Sequence, residues 1–260
     1  MSSYTTDLID VAGKKTQVLK GGDGPPLVYL HSAAGETMWT PVHRALAARY
    51  TLYAPAHPGF DQSEGLDRVE DIEDMVWHYV DLLHQLGLDR VPIVGFSLGG
   101  WIGVELAVRH PQRVSKLVLA DAAGLHVDGA PMADLFVDDV QQLREMAFYD
   151  PAGTLAQYAM PEQMDEQQTL LMLRAREATA RIAWNPYLHN PKLPAHLHRL
   201  ACPVLILWGR DDKLIPLAHG QRYAELIPGA TLQVFDQTGH MLPLERGEEF
   251  VRATLEFLAR

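Results

Sequence analysis

The chain has 260 residues, 47% hydrophobic and 21% charged. These proportions fit one soluble globular domain with at most an insertion, and they exclude a disordered chain, a collagen-like fibre or a disulfide-stapled miniprotein. Lys and Arg number 22 against 33 Asp and Glu, a formal charge of −11, and without a basic cluster nucleic acid is not an expected partner. The single cysteine, Cys202, cannot form an internal disulfide. That fits a reducing compartment, and the residue is read as a small buried hydrophobe. Residues 1–10 show neither a basic n-region nor an apolar h-region, and no apolar run approaches the roughly 20 residues of a bilayer span. The expectation is a cytoplasmic protein with no membrane contact.

In chain order, residues 16–20 and 27–30 read as short strands, the second followed by a loop holding Ala33, Ala34 and Gly35. Residues 38–49 carry apolar side chains at helical spacing, and 50–54 return to a strand pattern. The stretch 69–86 is the longest amphipathic one: Ile72, Val76, Tyr79, Val80, Leu83 and Leu86 share a face, and Gly87 stops it. Residues 91–96 form a β-branched apolar run, the pattern of a strand covered on both faces. A helix over 98–110, broken by Pro111, and a strand over 114–119 follow. The rhythm returns with strand 204–208, helix 217–227, strand 231–235 and helix 247–258. Strands alternating with helices predict a mostly parallel α/β sheet with helices on both faces.

One segment departs from that rhythm. Residues 122–199 show no convincing strand, only amphipathic helical patterns over 133–148 and 165–184, punctuated by six prolines. They predict a helical cap over the C-terminal ends of the strands, where open α/β sheets bind ligands, with residues 1–121 and 200–260 as the core.

Gly95-Phe96-Ser97-Leu98-Gly99 is a G-x-S-x-G motif at the predicted strand–helix junction. A serine on so tight a turn needs neighbours without side chains two positions away, and the turn exposes the hydroxyl above the sheet. The competing reading makes Ser97 only a helix N-cap. A serine hydroxyl needs a base, and the base needs a carboxylate to orient it. His240 follows strand 231–235 through a short loop, and Asp211 and Asp212 follow strand 204–208. The chain order is then Ser, Asp, His.

With these residues the chain resembles the α/β-hydrolase fold superfamily over nearly its whole length, the insertion apart. The family's acid pattern, G-x-x-D-x-x-x-P, is matched by Gly209 to Pro216 and falls on Asp212 rather than Asp211. Its Gly-His pair followed by an acidic residue is matched by Gly239-His240 and Glu245. The resemblance implies a catalytic triad of Ser97, Asp212 and His240. It also implies an oxyanion hole made by the amides of Ala33 and Leu98, in a loop where Ser32 replaces the usual glycine and its hydroxyl is a further candidate donor. In the loop 57–63, Asp61 stands where the family usually has glycine. His31 and His57 are read as braces of the loops they open.

No H-E-x-x-H, paired-cysteine, P-loop or dinucleotide motif occurs, so no metal and no cofactor are expected. The expected partner is a small, largely apolar ester-like substrate, with Phe96, Trp184, Leu214 and Met241 as candidate pocket residues. Carboxylic ester hydrolysis through an acyl-enzyme is the leading reading. The alternatives are a carbon–carbon bond hydrolase of the meta-cleavage type, whose acid loops resemble Trp208 to Asp212, and a lactonase or haloperoxidase-like enzyme. Against the carbon–carbon reading, Met241 stands where those enzymes usually carry an aromatic. From another class comes a hydrolase-fold receptor with slow turnover. Oligomeric state leaves no signal in the sequence.

Overall fold

The structure is a computed structural model describing residues 3–260. Eight strands form one sheet: β1 (Tyr4–Val11), β2 (Lys14–Gly21), β3 (Pro26–Leu30), β4 (Thr51–Pro55), β5 (Val91–Phe96), β6 (Val114–Ala120), β7 (Val204–Gly209) and β8 (Thr231–Phe235). Their order is β1-β2-β4-β3-β5-β6-β7-β8. The β1–β2 and β2–β4 pairs are antiparallel, and every later pair is parallel. The predicted mostly parallel α/β sheet is therefore what forms.

Alternation inside the parallel strands explains why they read as unbroken apolar runs. Leu117 and Leu119 enter one core with Ile93, Ile206 and Trp208, while Val118 and Ala120 enter the other with Val94, Leu205 and Leu207. The first core is covered by α2 (Ile72–Gln85) and α3 (Leu98–Arg109), the second by α1 (Pro41–Ala47) and α9 (Gly247–Ala259). With both faces buried, neither residue of a pair can be polar.

Several boundaries differ from the sequence reading. β1 has no counterpart there: its residues are mostly exposed, so no burial pattern marks it, and its order comes from the register Tyr4–Gly21 to Val11–Lys14 with β2. Helix 38–49 contracts to Pro41–Ala47, because Thr40 caps it and Pro41 takes the first position. A short helix, α8 (Leu242–Glu245), follows the His240 loop, and α7 spans Leu217–Leu226.

The segment 122–199 holds α4 (Val140–Ala147), α5 (Thr154–Ala159), α6 (Glu166–Ala183) and a 3₁₀ turn over Leu193–Arg199. The helix expected over 133–148 forms only in its second half. Upstream, the Ala133 N–H donates to the Leu214 carbonyl and the Leu135 N–H to the Tyr187 hydroxyl, so tertiary partners take the backbone donors a helix would use. Both ends of the segment are anchored in the first core: Ala122, Ala123 and Leu125 at one end, Leu188, Leu193 and Leu197 at the other, joined by a bridge between Gly124 and His189. Ala147, Phe148 and Ala156 enter the second core. Cys202 is half-buried rather than buried. Among the described residues no helix is long and apolar enough to cross a membrane.

Candidate active site

Ser97 sits between β5 and α3 at φ 53°, ψ −113°, a conformation that costs an L-residue on the order of 1–3 kcal/mol unless its surroundings over-determine it. They do. A Cβ at Gly99 would lie 2.1 Å from the Leu30 carbonyl oxygen, and one at Gly95 would lie 2.4 Å from that of Gly99. The Ser97 N–H donates to the Ala120 carbonyl at 2.9 Å. Its side chain makes no helix cap, which disposes of the N-cap reading. The hydroxyl points at a histidine instead.

That histidine is His240. Its Nε2 lies 3.0 Å from Ser97 Oγ, and its Nδ1 donates to Asp212 Oδ2 at 2.8 Å. The carboxylate fixes the tautomer, leaving Nε2 free to accept the serine proton. The other Asp212 oxygen accepts the N–H groups of Leu214 and Ile215, both at 2.8 Å, so a tight loop holds the acid in place. Asp211 makes no such side-chain contact among the described residues; its N–H donates to the Thr238 carbonyl, and the residue is half-exposed. The acid and base loops touch backbone to backbone, since a Cβ at Gly209 would lie 2.1 Å from the Gly239 carbonyl oxygen. Glu245 closes the group by accepting the N–H of Gly239 on one oxygen and that of Tyr149 on the other, each at 2.8 Å.

The residues suggested for the oxyanion hole stand at the ends of β3 and β5. Neither the Ala33 nor the Leu98 N–H has a protein acceptor among the described residues. The Ser32 hydroxyl, considered above as a further donor, is engaged elsewhere. It donates to Glu36, as does the Ser32 N–H, and it accepts from the Ala34 N–H. Glu36 escaped the sequence reading because only the folded loop brings it onto Ser32. His31 and His57 brace their loops: the His57 N–H donates to His31 Nε2, and His57 Nε2–H to the His31 carbonyl. Asp61 adopts φ 49°, which explains why glycine is usual there, and its carboxylate accepts from Gln17 and Thr37.

Of the suggested pocket residues, Phe96 is buried with its ring 5.4 Å from the His240 imidazole, centroid to centroid. Met241 is buried, its N–H donating to the Ala147 carbonyl, and Leu214 is half-buried in the acid loop. Trp184 departs from the reading. It is 63% exposed and packs on Phe136 at the surface, because the last turns of α6 bury Ala178, Thr179, Ile182 and Ala183 instead.

A second carboxyl stands by the acid and also escaped the sequence reading. Asp121, at the end of β6, is fully buried at φ 43°, and its Oδ1 accepts the Gly209 N–H at 2.8 Å. Burial, and then the neighbouring Asp212 carboxylate, push Asp121 well above the usual carboxylate range. The neutral form of Asp121 is thereby favoured.

Comparison with known proteins places the chain in a family. The sequence profile of the alpha/beta hydrolase fold matches residues 25–247. A 2-hydroxy-6-oxononadienedioate/2-hydroxy-6-oxononatrienedioate hydrolase of Burkholderia vietnamiensis is 29% identical over 92% of this chain and 89% of its own. A 2-hydroxy-6-oxo-2,4-heptadienoate hydrolase of Pseudomonas putida is 29% identical over 97% of this chain and 95% of its own. The solved meta-cleavage product hydrolase of Pseudomonas fluorescens superposes with a TM-score of 0.77 at 24% identity, covering 97% of each chain, a likeness of fold alone.

Proposed function

Because the chain belongs to the α/β hydrolase fold family, we propose that it is a serine hydrolase cleaving a 2-hydroxy-6-oxo-dienoate at the carbon–carbon bond beside its 6-oxo carbon. The observation that carries the chemistry is the continuous line of 2.8 and 3.0 Å contacts from Asp212 through His240 to Ser97. Ser97 Oγ adds to the carbonyl carbon while His240 Nε2 takes its proton, and Asp212 steadies the imidazolium. The amides of Ala33 and Leu98 receive the oxyanion. In the 2,6-dioxo tautomer, formed when the 2-hydroxyl proton moves to C5, the adjacent carbon–carbon bond then breaks; its electron pair runs through the enone to the 2-oxo oxygen, which takes the proton from His240 and leaves a 2-hydroxydienoate. Water, deprotonated by His240, releases the acyl group as a carboxylic acid and restores Ser97. The cap, residues 122–199, covers the site and sets the size of the acyl group accepted.

This reverses the order of substrates taken from the sequence, where esters came first. The substrate class is supported by the names of the relatives, which are dienoate hydrolases. Ester hydrolysis remains a second reading on one observation: Met241, buried beside His240, is not the aromatic usual in carbon–carbon hydrolases.

The test offers purified protein 2-hydroxy-6-oxo-2,4-heptadienoate and p-nitrophenyl esters of graded chain length. The dienoate should give kcat/KM about tenfold or more above the best ester. The reverse ratio selects the ester reading, and a single turnover leaving a persistent adduct selects a receptor. Ser97→Ala should lower kcat by about 10⁴ or more on either substrate, and an active Ser97→Ala enzyme would sink the triad.

A further inference from the structure

The inference rests on reading Ala33 as an oxyanion donor, and it concerns what aims that donor. In a trans peptide the C=O and N–H of one plane point in opposite directions. Whatever holds the Ser32 carbonyl therefore sets the direction of the Ala33 N–H. Two donors hold it: the Gly35 N–H at 3.1 Å and the His31 ring through Nδ1 at 2.7 Å. The preceding plane is different, because both its ends are used. The His31 carbonyl accepts from His57 Nε2, and the Ser32 N–H donates to Glu36. Of these two planes, the Ser32–Ala33 one has its carbonyl gripped and its amide left over.

The same arrangement recurs at the other candidate donor. The Ser97 carbonyl accepts from the N–H groups of Trp101 at 3.1 Å and Ala123 at 3.2 Å, and the Leu98 N–H is left over. There both grips are backbone. At Ala33 one of them is an imidazole, and a side chain can be changed.

The tautomers along this chain follow from what each atom can do. A carbonyl only accepts, so His31 Nδ1 carries the hydrogen, and His31 Nε2 is the acceptor for the His57 N–H at 3.0 Å. His57 Nε2 must donate to the His31 carbonyl at 2.9 Å, which leaves its Nδ1 to accept the Tyr79 hydroxyl. Tyr79, His57 and His31 are all buried, and burial keeps both imidazoles neutral. A single pattern of donors thus runs from Tyr79 to the Ser32 carbonyl.

We propose that His31 is a positioning residue for the reaction, its Nδ1–H holding and polarising the Ser32–Ala33 peptide so that the Ala33 N–H is aimed before charge develops on the substrate. Preorganised donors of this kind stabilise the transition state more than the ground state, and a donor at the carbonyl end of a peptide strengthens its amide as a donor in turn. Loss of the grip lowers kcat and leaves KM nearly unchanged.

Three substitutions separate aiming from bracing. His31→Phe keeps a ring and removes both nitrogens. His31→Asn places an amide N–H where Nδ1 sits, and His31→Gln places its amide at the Nε2 end. With an activated ester as substrate, His31→Phe and His31→Gln should lower kcat about tenfold or more at constant KM, against the hundredfold or more of a deleted oxyanion donor. His31→Asn should recover most of that loss, although it lowers Tm as His31→Phe does by losing the acceptor of the His57 N–H, which the His31→Gln amide oxygen can replace. Tyr79→Phe, which removes one oxygen at the far end of the chain, should lower kcat about two- to fivefold by weakening the cooperative run, and it decides the matter should His31→Phe not fold. Equal kcat in His31→Asn and His31→Phe, or wild-type kcat in Tyr79→Phe where it is the deciding variant, would overturn the proposal. Ser97→Ala measured in parallel keeps the two levels apart: if it is active the triad reading fails, and if it is dead while the His31 variants match wild type, only this inference fails.

Discussion

The turn at residues 95–99 and the cap helices answer to different rules. At the turn, backbone atoms approach so closely that a methyl group at Gly99 would collide with the Leu30 carbonyl. In the cap, Leu170 and Leu173 on α6 are half exposed, and Tyr158 on α5 is 83% exposed. The turn is specified by steric exclusion within a few residues. The cap is specified by scattered tertiary contacts, with Ala175 and Ala178 laid on the loops at Gly35 and Gly59. On the proposed reading, the first kind of constraint places the chemistry and the second is left to set substrate choice.

The largest expected effect tests whether the chemistry belongs wholly to the core loops. Asp212→Asn should lower kcat by about 10⁴ by offering the imidazole the wrong tautomer, while Asp211→Asn stays within about threefold. Steady-state kinetics on the two variants decides, and a reversed ranking would break the assignment of the acid. Next comes the fold itself: Gly99→Ala should cost about 4 kcal/mol or more, in the range of steric damage to a packed core. Urea unfolding measures it, and a loss under about 1 kcal/mol would mean the turn can relax after all.

A smaller effect probes the cap. The Tyr187 hydroxyl donates to the Ala133 carbonyl and accepts the Leu135 N–H, both at 2.8 Å. Tyr187→Phe should cost about 1–2 kcal/mol and speed hydrogen exchange at residues 133–139 before the sheet responds. Uniform acceleration across the sheet would show that cap and core unfold as one. The smallest effect lies inside the core. Both ring nitrogens of His78 are buried without a partner among the described residues, and burial pushes His43 and His78 down to about 4. Below pH 6.5 the unfolded chain binds protons that these two folded residues refuse, so stability present above that pH is lost as pH falls toward 4. His78→Leu should add about 1 kcal/mol and move acid unfolding to lower pH. An unchanged acid transition would remove His78 from the account.

The same contrast explains what could be read in advance. β5 and β8 match their sequence patterns residue for residue, and the family's acid pattern, which ends at Pro216, points to Asp212 rather than Asp211. Those features are local: a buried run between turns, or a fixed interval in one loop. β1 left no pattern because its partner supplies its order, and the half of 133–148 that is not helical gave its hydrogen bonds to Leu214 and Tyr187. Trp184 was placed by residue type when burial was decided by Ala178, Thr179, Ile182 and Ala183 of α6. Glu36 and Asp121 are further cases, since their importance lies in which oxygen meets which N–H.

Glu245 carries a mechanical consequence. One carboxylate ties the N–H next to the base and the N–H that follows α4, and the Met241 N–H adds a third tie to Ala147. This end of the cap is riveted to the loop that carries His240, so a cap swinging from here would drag the imidazole off Ser97. Opening that spares the base must pivot about this rivet, with travel growing toward the far helices. On the proposed reading of residues 122–199 as a cap, the way left for substrate lies on the α6 side while His240 stays beside Ser97.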